Sequence, residues 1–283
     1  MSYRAELALL SVAFIWGASF VPTQDAVGTM SVLTFLALRF GLALLALLLL
    51  FSGDLRRLGQ PQALWGGALI GLVLFSGYLF QTWGLRYTTV TKSGFLTGLS
   101  VVLVPLLAAL CFRRRVSGPE WLGTVLSAAG LALIIFGAGG AIVDFNFGDF
   151  LTLLGALCFA LQIVLIDRLV SQSNYSALLI AEIAVVALLS TGGALAAGRL
   201  AFAWSLTLWY DIGITGLLAT ALAFWIQSRF QARSTATRAA IILSGEPVFA
   251  GIFGYLLQGD RLQSGQLLGA LLIVAAMIVA QRR

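Results

Sequence analysis

The sequence predicts an all-α polytopic membrane protein with about ten transmembrane helices arranged as two inverted five-helix repeats. Three observations carry this. Of 283 residues, 60% are hydrophobic and only 10% charged, and the mean hydropathy is +1.01. A soluble domain of this size has no interior large enough for so much apolar surface. The apolar runs are close to twenty residues long, the length of a bilayer-spanning helix, whereas barrel strands are shorter and alternate. Finally, the second half of the chain repeats polar features of the first at a fixed offset.

The expected spans are 5–22, 31–51, 63–84, 89–111, 119–138, 148–169, 175–197, 208–230, 235–257 and 263–281. The first is too long and too decorated for a cleaved signal peptide, and we expect it to be retained. An even number of spans puts both termini on one side. Twelve of the 17 basic residues lie with the terminal face, among them Arg4, Arg56, Arg57, Arg113, Arg114 and Arg115. Four lie near the other face: Arg86, Lys92, Arg199 and Arg261. Arg39 sits inside the second span and is set aside. The positive-inside rule therefore makes both termini cytoplasmic, in a cell (inner) membrane.

The offset is 146 residues, without gaps. It carries Thr89-Val90-Thr91-Lys92 onto Thr235-Ala236-Thr237-Arg238, Gln81 onto Gln227, Tyr78 onto Phe224, and Leu122-Gly123 onto Leu268-Gly269. Shared hydrophobicity alone does not produce such polar matches. The first repeat is expected at 1–138, a linker at 139–147 and the second repeat at 148–283. Each has five spans, an odd number, so the second enters the membrane from the opposite side. Such inverted halves place a solute site at the midplane between them.

The most unusual stretch is Ser234–Gln258. It is long enough to span, yet carries Glu246 and Pro247 near its middle. A carboxylate there costs about 2.5–3.5 kcal/mol on insertion scales. Proline lacks the N–H that would bond the carbonyl of Leu243. We expect this span to face other helices or a wet cavity. Glu246 serves there as a coupling carboxylate or as a polar support for the backbone around Pro247. The repeat places Ser100 opposite Glu246, so the acid belongs to one copy.

Composition also excludes chemistry. The +6 net charge resides in short loops and sets topology, so no nucleic-acid partner is expected. There is no histidine, and the two cysteines, Cys111 and Cys158, lie in apolar segments. No metal site, cofactor or Cys/His nucleophile is expected, nor is a phosphate-binding loop present. Expected partners are a small-molecule substrate and the lipid bilayer, with the protein a monomer.

Several short motifs then come together in order: Trp-Gly-Ala-Ser-Phe at 16–20, Ala-Leu-Arg-Phe around Arg39, Leu-Arg-Tyr-Thr-Thr-Val-Thr-Lys-Ser-Gly-Phe-Leu at 85–96, Glu-Pro-Val-Phe-Ala-Gly at 246–251, and Gly259-Asp260-Arg261-Leu262. The chain resembles the drug/metabolite transporter superfamily in its EamA-type ten-helix branch, and within it the aromatic amino acid exporters of the YddG type. The resemblance implies inverted five-helix repeats and export of small metabolites. One departure is plain: Arg113-Arg114-Arg115 stands where Gly259-Asp260-Arg261 stands in the second copy.

Polar side chains at midplane depth are the candidates for binding solute. Gln81 and Gln227 each follow an aromatic, Tyr78 and Phe224, by three residues, which puts amide and ring on one helix face. Gln162 follows Phe159 in the same way, and Trp16 takes a comparable place in the first span. Ser244 joins them in the ninth, with Thr97 and Ser100 in the fourth. An apolar pocket carrying a few amides and hydroxyls suits an amphipathic or zwitterionic solute. Arg39 is expected to meet Asp25 or a helix C-terminus. Glu182, in the seventh span, lies too far along the normal to pair with Arg39 and is expected to snorkel to the interface. Lys92 and Arg238 are expected at opposite faces, as vestibule rims or span anchors. The function these residues point to is secondary export of small organic metabolites by alternating access, with amino acids, aromatic or otherwise hydrophobic, favoured. The alternatives are a channel, a lipid-handling protein, or an exporter of drugs or other metabolites.

Overall fold

A computed structural model describes residues 3–53, 61–136, 145–169, 175–198, 205–253, 255–256 and 264–280, and no strand occurs among them. The first three spans are α1 (Tyr3–Thr29), α2 (Val32–Leu50) and α3 (Pro61–Gly84). Ser31 starts α2 by accepting from the Thr34 amide, and Pro61 starts α3, where a missing N–H costs nothing. The fourth span is two pieces, α4 (Val90–Gly98) and α5 (Ser100–Leu110). The fifth is α6 (Gly118–Phe136), entered through a reciprocal cap in which the Glu120 carboxylate accepts from the Ser117 amide and hydroxyl. Then come α7 (Phe147–Leu169) and α8 (Tyr175–Ala196). The eighth span joins α9 (Leu206–Gly213), a π-helical segment (Ile214–Leu222) and α10 (Ala223–Gln231). The ninth joins α11 (Ala236–Leu243) and α12 (Glu246–Phe253), and α13 (Ser264–Ala280) is the tenth. Eight of these stretches are long and apolar enough to cross a bilayer by themselves. The other two, α6 and α13, pack along each other.

The structure departs from the sequence expectation in three places. The first span runs to Thr29 rather than ending near residue 22. The spans expected as continuous at 89–111 and 235–257 are both interrupted, at Leu99 and at Ser244–Gly245. The 146-residue offset carries Leu99 onto Gly245, so the two breaks occupy the same place in the repeat. Each interrupted span also begins alike: Thr89 accepts from the Lys92 amide and Thr235 from the Arg238 amide. Pro247 explains the second break. It sits in the first turn of α12, where no intrahelical donor is required, so it starts a helix rather than bending one. Residues 139–144 of the expected linker lie outside the described residues, as do Gly259, Asp260 and Arg261.

The two halves interleave. α1 packs on α10 and α12, α2 on α8, and α3 on both α7 and α8. Glycines set the closest approaches. A Cβ on Gly71 of α3 would lie 2.6 Å from the Glu182 carbonyl oxygen of α8. The buried core around the cavity holds Phe35, Phe40, Leu74 and Phe224, while Leu49, Leu50, Trp65 and Leu188 project outward, as side chains facing lipid do. Ion pairs tie span ends together: Lys92 to Asp149 at 3.3 Å, Arg238 to Glu120 at 3.7 Å, and Arg114 to Asp167.

Candidate functional site

Both helix breaks face one cavity between the halves. It encloses about 690 Å³ of space between atoms, its open mouth included. Its wall includes Trp16 of α1, Arg39 of α2, Tyr78 and Gln81 of α3, Thr97 and Ser100 of the fourth span, Phe159 and Gln162 of α7, Phe224 and Gln227 of α10, and Glu246 of α12. The wall continues to Thr23 and Leu85, toward the face where α1 and α3 end. On the opposite side a row of glutamines crosses from α10 to α7.

The aromatic lining is built around Tyr78. Its ring lies 5.0 Å from Phe40, 5.2 Å from Phe159 and 6.2 Å from Phe224, all tilted or edge-to-face. Trp16 adds a contact to Phe224 at 5.4 Å. Its indole N–H donates to the Ala219 carbonyl at 2.9 Å. The π segment makes that acceptor available: the Ala223 amide bonds Leu218 and Thr220, passing over Ala219. A π segment thus frees a backbone carbonyl at membrane depth, and a cavity residue satisfies it.

Arg39 sits against this aromatic group. It is 3% exposed, donates from Nε to Thr220 Oγ1 at 2.8 Å and from Nη2 to the Tyr78 hydroxyl at 3.2 Å, and lies 4.5 Å from the Tyr78 ring centroid. The expected contact with Asp25 or a helix C-terminus is not made. Span depth counted along the sequence could not show that the π segment would bring Thr220 within reach. Of five guanidinium donors, two are used among the described residues, which leaves three for a ligand. Glu246, at the start of α12, also lines the cavity, and its side chain makes no hydrogen bond among the described residues. The expected carboxyl support of the backbone near Pro247 is therefore not seen. An arginine and a carboxylate of opposite charge share the wall of one apolar chamber.

The amides divide into two groups. Gln81 donates to Thr97 Oγ1 at 2.8 Å, joining α3 to α4. Gln162 donates to Glu182 Oε1 at 3.0 Å, and Gln227 donates to Gln162 at 3.4 Å and to Gln231 at 3.1 Å. Gln231 then donates to the Ile163 carbonyl at 2.6 Å. Glu182 does not snorkel to the interface: it is fully buried, because Gly67 and Gly71 draw the α3 backbone onto its turn of α8.

Of the side chains singled out from sequence, Trp16, Arg39, Tyr78, Gln81, Phe159, Gln162, Phe224, Gln227 and Glu246 share the cavity wall. Ser244 does not. Its hydroxyl donates to the Ile241 carbonyl and to Ser127 of α6. The turn between α11 and α12 points it away, a direction that a continuous helix would not have given it. Pro247 is buried beside Gly98, behind the wall. Lys92 and Arg238 lie at span starts and pair with Asp149 and Glu120. Ser19, Phe20 and Ile163 also line the cavity and were not singled out. Ser19 stood in the sequence inside the Trp-Gly-Ala-Ser-Phe motif. Among the described residues no group of three or more His, Cys, Asp or Glu side chains is placed to hold a metal ion.

Gly17 in that motif has a local physical reason. A Cβ there would lie 2.7 Å from the Glu246 carbonyl and 2.9 Å from the Ala250 amide nitrogen. Only glycine lets α1 approach α12 so closely.

Comparison with known proteins agrees with this architecture. A solved crystal structure superposes with a TM-score of 0.81 over 99% of this chain and 97% of that one, at 18% sequence identity, a likeness of fold. An uncharacterized transporter of Archaeoglobus fulgidus is 33% identical over 99% of this chain and 86% of its own length. The uncharacterized transporter YoaV of Bacillus subtilis is 24% identical over 98% of this chain and 96% of its own. The family model of EamA-like transporters matches twice, at residues 3–136 and again at 146–281, and the chain belongs to the EamA-like transporter family.

Proposed function

We propose that this transporter is a non-enzymatic secondary exporter of small zwitterionic metabolites, amino acids with aromatic or other apolar side chains above all. It works by alternating access across the central cavity between two inverted repeats, 1–138 and 148–283. The single observation that carries the substrate class is the pairing of Arg39 and Glu246 on one wall lined by Tyr78, Phe159 and Phe224. The free donors of Arg39 match a carboxylate, Glu246 matches an ammonium, and the aromatic rings take an apolar side chain. The helix breaks at Leu99 and Gly245, where the backbone hydrogen bonding tightens to i→i−3, flank the cavity, and transporters of inverted-repeat design place their sites between the halves. Both termini face the cytoplasm of the inner membrane, as the distribution of basic residues indicates.

The test is counterflow in proteoliposomes, at equal pH on both sides, with a panel of labelled amino acids. Saturable exchange of apolar zwitterions is expected, lowered about tenfold or more in Arg39→Gln by loss of a charge-assisted contact. Non-saturable flux would indicate a channel. Lipid movement without amino acid exchange would indicate a lipid-handling protein. Either outcome overturns the proposal.

A further inference from the structure

Glu182 is the most anomalous group in the molecule outside the cavity wall. Its exposure is zero. Its Oε1 accepts from Gln162, and its Oε2 has no hydrogen-bond partner. Among the described residues no arginine or lysine forms an ion pair with it. The ionisable side chains on the elements around it are otherwise engaged. Arg39 of α2 and Tyr78 of α3 bond each other, Asp167 of α7 pairs with Arg114, Arg168 of α7 bonds the Phe112 carbonyl, and Arg229 of α10 lies over the Trp225 ring. An ionised carboxylate in such a place carries a large uncompensated desolvation cost.

The second orphan atom is nearby in the same network. Gln227 Oε1 is also buried without a partner. With Glu182 ionised, Gln162 must present its N–H to the carboxylate, and its carbonyl then receives the Gln227 N–H, as observed. With Glu182 protonated at Oε1, the new O–H needs an acceptor. Rotation of the Gln162 amide by half a turn supplies its carbonyl oxygen. That rotation brings the Gln162 N–H against the Gln227 N–H and breaks the bond between the two amides, while Gln227 stays bonded to Gln231. Protonation also leaves Oε2 as a neutral carbonyl oxygen, which is far cheaper to bury than a shared charge. Protonation therefore frees Gln162 from Gln227 and changes which polar atoms Gln162 turns toward the cavity it lines.

We propose that Glu182 is a proton-binding site coupled to solute occupancy through the amide of Gln162. The proton arrives from hydronium in water admitted when the contacts around Gln162 part, giving a carboxylic acid and a water molecule. It leaves by the reverse step on the other side of the cycle. In one state the Gln162 amide is held by Gln227, and in the other it is released toward the solute. This inference rests on the transport reading above, and makes that transport proton-linked.

Two measurements test it, and only one depends on the solute. The first is infrared difference titration of the purified protein. A carboxylic acid C=O band that titrates in wild type and is absent in Glu182→Gln is expected. Absence of any Glu182-dependent band change over the range in which the protein stays folded overturns the proton site, whatever the protein transports. The second uses proteoliposomes and an amino acid that wild type exchanges. In Glu182→Gln, accumulation driven by a pH gradient should fall about tenfold or more relative to exchange at matched pH. Solute-evoked pH change, read by a trapped dye, should vanish. Undiminished gradient-driven accumulation in Glu182→Gln, or no solute-evoked pH change in wild type, overturns the coupling. Absence of exchange in wild type would instead count against the proposed function, while the infrared result still decides on the proton site.

Discussion

Replacing Gly17 by alanine tests how tightly the cavity is assembled. The added methyl would stand 2.7 Å from the Glu246 carbonyl oxygen, 2.7 Å from Phe249 Cβ and 2.9 Å from the Ala250 nitrogen. Ordinary contact begins near 3.4 Å, so α1 and α12 must separate by roughly 0.7 Å at backbone atoms that cannot rotate aside. Overpacking of this kind costs about 1–3 kcal/mol. Alanine recovers about 0.5–1 kcal/mol of helix propensity, leaving a net loss of up to about 2.5 kcal/mol. At about 2–4 °C per kcal/mol that corresponds to up to roughly 10 °C in Tm. The matching control is Gly41→Ala in α2, where a Cβ would meet nothing within 4 Å. It should leave Tm unchanged or raise it. The assay is thermal unfolding in detergent, paired with amino acid exchange in proteoliposomes. Gly17→Ala should lower both Tm and exchange, because α1 and α12 both contribute to the cavity wall. Equal Tm values for the two variants, with full exchange in both, would refute the close approach of α1 and α12.

Two further outcomes follow from the same geometry. Glu246 lines the cavity without a hydrogen bond, so Glu246→Gln should weaken exchange of zwitterions by about tenfold while leaving Tm within error; normal exchange in Glu246→Gln together with a large Tm loss in Glu246→Ala would mean that the carboxyl supports the backbone instead. Reporter fusions at the C-terminal Arg283 should be active on the cytoplasmic side, and activity confined to the extracytoplasmic side would reverse the assigned orientation.

The architecture was legible because membrane burial writes itself into composition. Every spanning helix must be long and apolar, and polar exceptions such as Gln81, Gln162 and Gln227 stand out against that background. Their placement on the cavity wall needed only a three-residue spacing to an aromatic. The π segment was not legible. Ile214–Leu222 reads as an ordinary apolar run, and the frame shift that presents the Ala219 carbonyl to Trp16 comes from packing against α1 and α2. Arg39's partners were hidden for the same reason. The helix breaks left a fainter trace. Gly98 and Gly245 are poor helix formers, and Pro247 is a starting residue, but in one dimension a proline that begins a helix looks like one that bends it. Glu182 was misplaced because its burial depends on two glycines of another helix, more than a hundred positions earlier.

The interleaving of the halves bears on how the protein is made. α1 leaves the ribosome long before the helices it packs against most, α10 and α12. The groove at Gly17 stays unfilled until more than two hundred further residues have been synthesised. Arg39 waits 181 residues for Thr220, and Gln162 waits 65 for Gln227. During that interval the nascent chain holds a guanidinium and several amides in a bilayer with none of their final partners. Insertion of the individual helices must therefore precede, and be separable from, their assembly. Final assembly is a single late event that needs both halves, and a ribosome stalled midway leaves a fragment with its polar groups facing lipid, a natural target for membrane quality control.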